Sequence, residues 1–308
     1  MADGGRRVGI STEAASQALR PDITSGRRRL PLAWVATLPF FAYTVAFLFL
    51  PAASVMVGAF QDKNDHATLS NVRLLFDHPY IDAYWGSLRI SVVTATLGCV
   101  VGLFVAYAAI REGTPRWIRS ALTTFSGVAA NFGGIPLAFG FIATLGPLGV
   151  VTTWFRNAGY DTSTRWPHFQ LFSAHGVELA YMYFQLPLMI LVIAPAIDGL
   201  RKEWREAAAN LGAKQWQFWR HVGVPVLMPS FLGAFILLFG NAFAAYATAY
   251  GLNQNQNIVP IVISNYYTVN VLDNPHLAQA LAFGMFVVLA AMMVIYIPLQ
   301  RRAARWAK

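Results

Sequence analysis

The sequence predicts an all-α, polytopic membrane protein with six transmembrane helices, and three observations predict it. Of its 308 residues, 56% are apolar and only 12% are charged, whereas soluble domains average about 25% charged residues. Six apolar windows are each long enough to cross about 30 Å of hydrocarbon as a helix, which takes roughly 20 residues. Lysine and arginine are distributed unevenly among the connections. Helix is the form such windows must take, because in hydrocarbon every backbone N–H and C=O has to be satisfied within the segment.

The first window runs from Leu32 to Phe60, the second from Ser87 to Ile110, and the third from Trp117 to Leu145 with glycines and a proline inside it. The fourth covers Ala174 to Ile197, the fifth Ser230 to Tyr250 and the sixth Leu277 to Leu299. The first and third exceed the minimum length, which tilt, a kink or a partly interfacial position accommodates. These windows organise the chain as a flexible basic arm over residues 1–30, a transmembrane domain over 31–300 and a basic tail over 301–308.

Orientation follows from the basic residues, since lysine and arginine resist translocation. The arm carries Arg6, Arg7, Arg20 and Arg27 to Arg29; the second connection carries Arg111, Arg116 and Arg119. The fourth connection carries Arg201, Lys202, Arg205, Lys214 and Arg220, and the tail Arg301, Arg302, Arg305 and Lys308. The remaining connections hold only Lys63, Arg73, Arg156 and Arg165, and Arg89 lies near the start of the second window. Both termini and the fourth connection are therefore expected to be cytoplasmic, in a multi-pass membrane protein. The net charge of +9 follows from this asymmetry and attraction to anionic lipid, without nucleic acid as a partner. The apolar run after Arg29 is too long for a signal-peptide core, so a retained first helix is expected. Cys99 is the single cysteine, which excludes an intramolecular disulfide.

Catalytic signatures are missing from the sequence: it has no HExxH, no GxSxG and no P-loop lysine followed by Ser or Thr, so no P-loop ATP hydrolysis, bound cofactor or metal is expected of this chain. An intramembrane enzyme would need a nucleophile and base, or metal ligands, converging at membrane depth. A passive channel would need a ring of one charge or a filter loop. Polar exceptions within the windows nominate a pathway instead. Glu178 lies one turn inside the fourth window, followed by Tyr181, Tyr183 and Gln185; Asn241, Tyr246, Thr248 and Tyr250 lie in the fifth. Glu178 with Gln185, and Asn241 with Thr248, are each seven residues apart and share a helix face. Glu178, Tyr181, Gln185, Asn241 and Tyr246 are the candidate pathway residues. Interhelical hydrogen bonding is the competing use of each, and for Glu178 so is pairing with Arg89 or a reach to the interface. In "NFGGIPLAFGF", Asn131 to Phe141, two glycines and Pro136 at membrane depth predict a bend or unwound segment, or a close helix crossing.

The fourth connection contains "EWREAAANLGAKQWQFWRHVGVPVLMPS", Glu203 to Ser230. Leu200, Trp204, Ala207, Ala208 and Leu211 recur at helical spacing and form an apolar stripe, with Arg205, Glu206 and Asn210 on the other side. Gly212 falls where a left-handed helix cap is expected. Trp216, Phe218 and Trp219 start a second helical segment, and Pro225 with Pro229 are expected to end the excursion before the fifth window. An interfacial helix lying on lipid would use similar residues.

The arrangement Glu206-Ala207-Ala208, three residues, Gly212-Ala213, then Pro225 and Pro229, before the last-but-one span, resembles the EAA loop of permease subunits of bacterial binding-protein-dependent ABC importers, the MetI-like type I fold. The resemblance implies that residues 199–229 form a cytoplasmic coupling-helix loop that enters a cleft on an ATPase subunit. Trp204, Arg205, Glu206, Ala207, Ala208, Leu211, Gly212 and Ala213 would make the contact, with Glu206 as its acid, the two alanines allowing close approach and Gly212 the turn. Where many members carry an acid, this chain has Asn210-Leu211, so no second acidic contact is implied. Implied partners are two ABC ATPase subunits that use ATP and Mg, a second permease subunit, an extracytoplasmic solute-binding protein and the bilayer. The stretches "AYMYFQLPLMILVIAPAIDGL" and "LFGNAFAAYATAYGL" look most like permeases for polyamines, aminophosphonates, ferric iron and similar small charged solutes; sugar-importer permeases look less similar there.

The orientation is directly testable. On a Cys99-free background, His66→Cys is expected to react with an impermeant thiol reagent in intact cells, whereas Lys214→Cys reacts only after permeabilisation. Labelling of Lys214→Cys from outside contradicts the six-span topology.

Overall fold

The computed structural model describes residues 33–110, 114–160, 170–269 and 274–305, so the expected basic arm over 1–30 lies outside the described residues. Six helices are long and apolar enough to cross a membrane, and the described residues contain no strand, only a single bridge between Gln61 and Ala67. The chain divides into two units, Met1–Ala53 and Ser54–Lys308.

In the first unit, α1 (Ala33–Thr44) leads into a π-helical turn, Val45–Phe49. Leu38, Phe40, Phe47 and Phe49 are exposed, as suits side chains whose solvent is lipid. Helix α2 (Leu50–Gly58) completes the first candidate span, Thr37–Gly58.

The second unit is built on a close contact between α4 (Tyr80–Ile110) and α8 (Ala174–Asp198). A Cβ placed on Gly102 would stand 2.7 Å from Met189, and one on Gly98 would stand 3.1 Å from Gln185 and Leu238. Two backbones approach because glycine leaves room, the device that drives helix association where lipid offers no hydrophobic gain. The pairs Gly98 with Gln185 and Gly102 with Met189 advance together, so the two helices run parallel. Helix α11 (Val224–Ala244) packs into the same core through Leu227, Leu238, Phe239 and Phe243, against Ile190 and Ile193. The short α3 (Ser70–Leu74) and the long α14 (Pro275–Arg305) flank this core; α14 runs well into the expected 301–308 tail. A second cluster gathers Ile90, Leu137, Tyr181 and Phe184 with Ala249, Leu252 and Ile258.

The windows differ from the helices at three places, each with a physical cause. The second span begins at Tyr80 rather than Ser87, because Tyr84 docks on the far wall: its hydroxyl donates to Leu281 O at 2.5 Å. The third candidate span is Ile135–Asn157 rather than Trp117–Leu145: the glycine stretch unwinds the window into α5 (Arg116–Ala129) and α6 (Ile135–Leu145), and the span continues from α6 through α7 (Val150–Asn157). The expected fifth window ends early, at Ala244, and the chain restarts as α12 (Ala247–Leu252) and α13 (Val259–Thr268). Pro225 and Pro229 do not end the preceding excursion. They lie within a continuous helical path, Gln215–Ala244: a π-helical turn at Trp219–Gly223, with Val224 N bonded to Trp219 O, shifts the bonding just before Pro225, and Pro229 stands inside α11.

Replacing Gly102 with valine is expected to destabilise the protein by about 1–3 kcal/mol through overpacking. Thermal unfolding of the solubilised chain should show a lowered midpoint that Met189→Ala partly restores. An unchanged midpoint for Gly102→Val would contradict the close crossing.

Candidate functional site

Two helix breaks meet, one just before the candidate span Ile135–Asn157 and one just after the candidate span Gln215–Ala244. The first is the stretch Ala130–Gly134, ending at Gly134 with φ 75 and ψ −152, a region essentially restricted to glycine. The second is Ala245–Tyr246, where Ala245 in extended backbone separates α11 from α12. Each break frees backbone groups from the helical ladder, and side chains take some of them up. Gly134 N donates to Thr248 Oγ1 at 2.8 Å, and the same hydroxyl lies 3.3 Å from Gly134 O as its donor. The Tyr181 hydroxyl donates to Ala245 O at 2.6 Å, and the Tyr246 hydroxyl pairs with Ser264 Oγ at 2.8 Å. Broken backbone inside a membrane is tolerated only where protein or a water-lined cavity covers it.

A cavity of about 230 Å³ opens between the breaks, lined by Ala130, Asn131, Gly133 and Gly134 on one side and by Phe184, Asn241 and Ala245 to Thr248 on the other. Its polar side chains are Asn131, Asn241, Tyr246 and Thr248, all neutral. Asn131 Nδ2 donates to Gly127 O at 2.9 Å, which fixes its amide and directs the remaining oxygen away from that bond.

Of the five pathway residues expected from sequence, the structure brings Asn241 and Tyr246 to this cavity. Tyr181 supports its wall through Ala245. Gln185 is fully buried and donates to Leu238 O at 2.8 Å, stitching α8 to α11; it does not line the cavity. Glu178 does not line it either. Its Oε2 is 3.1 Å from Nδ1 of His175, and its side chain is 14% exposed. The alternative pairing with Arg89 is therefore replaced by a local i, i+3 pair with histidine. Thr248 shares the cavity with Asn241, though the break at Ala245 puts them on different helices. Asn131 was singled out in the sequence only for its backbone; the cue to its side chain was a polar residue beside two glycines.

The second feature is the loop after α8. Helix α9 (Lys202–Asn210) ends in a Schellman motif: Gly212 N bonds Ala209 O and Ala213 N bonds Ala208 O, both at 2.9 Å, with Gly212 at φ 75. Helix α10 (Gln215–Phe218) starts with Gln217 Oε1 accepting from Lys214 N at 2.7 Å. Phe218 is buried, and the Arg205 guanidinium lies 6.0 Å above its ring, which clamps α9 to α10. On the outer side, Trp204, Ala207 and Leu211 are exposed, Leu211 at 87%, while Ala208 and Ala213 are half-buried. Glu206 is exposed with Lys202 Nζ at 3.4 Å, a surface pair of little energetic weight. The apolar stripe expected to dock is thus open along most of its length; only Leu200 packs into the core.

Residues 166–306, which hold this loop and one wall of the cavity, match the family described as the binding-protein-dependent transport system inner membrane component. This segment is what the chain shares with the permease subunits of binding-protein-dependent ABC importers. A probable sulfate transport system permease protein, cysT, of Nephroselmis olivacea is 25% identical over 251 residues, 79% of this chain and 81% of that protein. The spermidine/putrescine transport system permease protein PotB of Salmonella typhimurium is 25% identical over 271 residues, 85% of this chain and 91% of that one. The fold is similar to that of a chain from a bacterial ABC transporter involved in the import of the acidic polysaccharide alginate, with a TM-score of 0.69 at 18% identity, covering 88% of this chain and 95% of the other.

Thr248→Val keeps the shape and removes both bonds to Gly134, leaving its N–H without an acceptor, at a cost of about 1–3 kcal/mol. The unfolding midpoint should fall for Thr248→Val and stay near the parent for Thr248→Ser. Equal midpoints for the two variants would contradict the stitching role.

Proposed function

We propose that this chain supplies half of the solute path of an ATP-driven importer and takes its drive through residues 199–229. The observation that carries the reading is α9, a rigidly capped helix with an open Trp204, Ala207 and Leu211 face, set at the end of the span that walls the cavity. A closed Schellman cap and the Arg205–Phe218 clamp make α9 and α10 a unit that can transmit a push without unwinding. Small residues at Ala207, Ala208 and Ala213 permit close approach, and Glu206 offers a charge to a basic or amide-rich cleft. Two ATPase subunits hydrolyse ATP with Mg and move this loop; α8 leads from the loop to Tyr181, which holds the second break. Displacement of the loop therefore reaches the cavity through packed helix, biasing a change between inward-open and outward-open states.

In this reading the chain is multi-pass in the inner membrane with both termini cytoplasmic, binds no cofactor or metal, and pairs with a second permease subunit. An extracytoplasmic binding protein delivers the solute. The cavity's neutral hydrogen-bonding groups suit passage rather than retention, so charge selection falls to the binding protein. Small charged solutes are the substrate class, with a polyamine or aminophosphonate as the choice of the segment resemblance; the names of the sulfate and the spermidine/putrescine relatives both fall within small charged ions.

The test is coupling. Gly212→Val imposes a left-handed backbone on a β-branched residue, costing about 1–3 kcal/mol locally, although nothing lies within 4 Å of the added atom. Glu206→Lys inverts the charge offered to the partner. Both variants should insert and assemble but lose most of the solute-stimulated ATP hydrolysis measured in proteoliposomes. Full stimulation in both would refute the docking role.

A further inference from the structure

A second concavity lies apart from the breaks, where the last turns of α4 approach the π-helical turn and the start of α11. Leu103, Phe104 and Tyr107 form one wall and Trp219, Val224 and Met228 the other, enclosing about 490 Å³ over a floor of Leu227. The groove is constructed rather than incidental. Trp219 stands edge-on to Tyr107 with ring centroids 5.0 Å apart, and it folds back over Gly223, where a Cβ would be 2.4 Å from the indole. The wide turn thus turns the indole into a wall, and π-bulges of this kind are frequent at functional sites.

The chemistry changes abruptly at one end. Arg220 and His221 follow Trp219 directly, Lys214 precedes it, and no acid occurs from Lys214 to Gly223. The Arg220 guanidinium rests 5.3 Å from the Trp216 ring and makes no ion pair among the described residues. Tyr107 lines the groove, and its hydroxyl makes no hydrogen bond among the described residues. An apolar slot lined by Tyr107 and Trp219, with Arg220 next in the chain after Trp219, suits an acyl chain ending in a phosphate. Basic pockets between transmembrane helices hold anionic headgroups, and guanidinium is the group of choice for phosphate.

We propose that this groove is a binding site for an anionic phospholipid, with an acyl chain between α4 and α11 and its phosphate at Arg220 and Tyr107. The neutral cavity at the breaks and the open face of α9 play no part in it. The occupant would brace the π-helical turn that joins the docking loop to α11.

Native mass spectrometry of the full-length chain, purified in its expressed assembly and titrated with dioleoyl phosphatidylglycerol or dioleoyl phosphatidylcholine, reads the site. The protein should retain one phosphatidylglycerol in preference to phosphatidylcholine, and Arg220→Gln should weaken that retention about fivefold, the effect of one cation at the membrane surface. Val224→Trp and Phe104→Trp fill the groove from opposite walls at exposed positions, and either should abolish retention of both lipids. Unchanged retention in a filled variant that elutes monodisperse, or equal retention of the two lipids, would overturn the proposal. So would a disulfide in native membranes between Val224→Cys and a cysteine of a second permease subunit, since a protein would then occupy the groove.

Discussion

The structure depends on one constraint: a helix broken inside the membrane must have its freed backbone groups satisfied by protein. Two breaks, at Ala130–Gly134 and Ala245–Tyr246, leave carbonyls and amides without helical partners, and two side chains meet part of that demand. Thr248 takes both polar groups of Gly134, and Tyr181 takes the carbonyl of Ala245. Because an unsatisfied group costs several kcal/mol in hydrocarbon, the first break depends on Thr248 and the second on Tyr181 of α8. The cavity lies between the two breaks. A polar hollow is what a solute pathway requires, and here it is neutral, edged by amides, hydroxyls and backbone.

Force has to reach this hollow from outside the membrane, and the layout of the second unit provides for that. The parallel contact of α4 and α8, closed by Gly98 and Gly102, leaves little room for α8 to shift without carrying its neighbour. The loop after α8 is rigid at both ends of its turn, from the Gly212 cap to the Arg205–Phe218 clamp. Helix α8 bears Tyr181 and Gln185, which hold α11 and the break beyond it. A displacement of α9 is therefore passed along packed elements to the residues that hold the cavity shut or open.

Much of this was legible in the sequence because it rests on local chemistry. Apolar length gave the six spans; glycine spacing gave the turn at Gly212; "GGIP" marked the first break. What was not legible depends on contacts between distant residues. The second break at Ala245 has no glycine or proline to announce it, since tertiary hydrogen bonding from Tyr181 stabilises it. The prolines at 225 and 229 looked like terminators, but the helix runs through both, with a π-helical turn just before Pro225. Glu178 and Gln185 shared a face as expected, yet periodicity alone does not tell a helix face turned to a cavity from one turned to a neighbouring helix. Gln185 faces α11, and Glu178 pairs with the histidine one turn before it.

The central claim is that the junction of the two breaks is a water-accessible path that the docking loop opens and closes. Its most direct measurement is thiol labelling in the assembled transporter, on a Cys99-free background, of Asn241→Cys in the cavity and of Val294→Cys on the exposed, apolar face of α14. The account predicts that the first cysteine reacts with a membrane-impermeant reagent in proteoliposomes, at a rate that changes severalfold when the ATPases are trapped with ATP and vanadate, while the second stays unreactive in both states. Equal reactivity of the two positions, or a rate at Asn241→Cys indifferent to the nucleotide state, would contradict it.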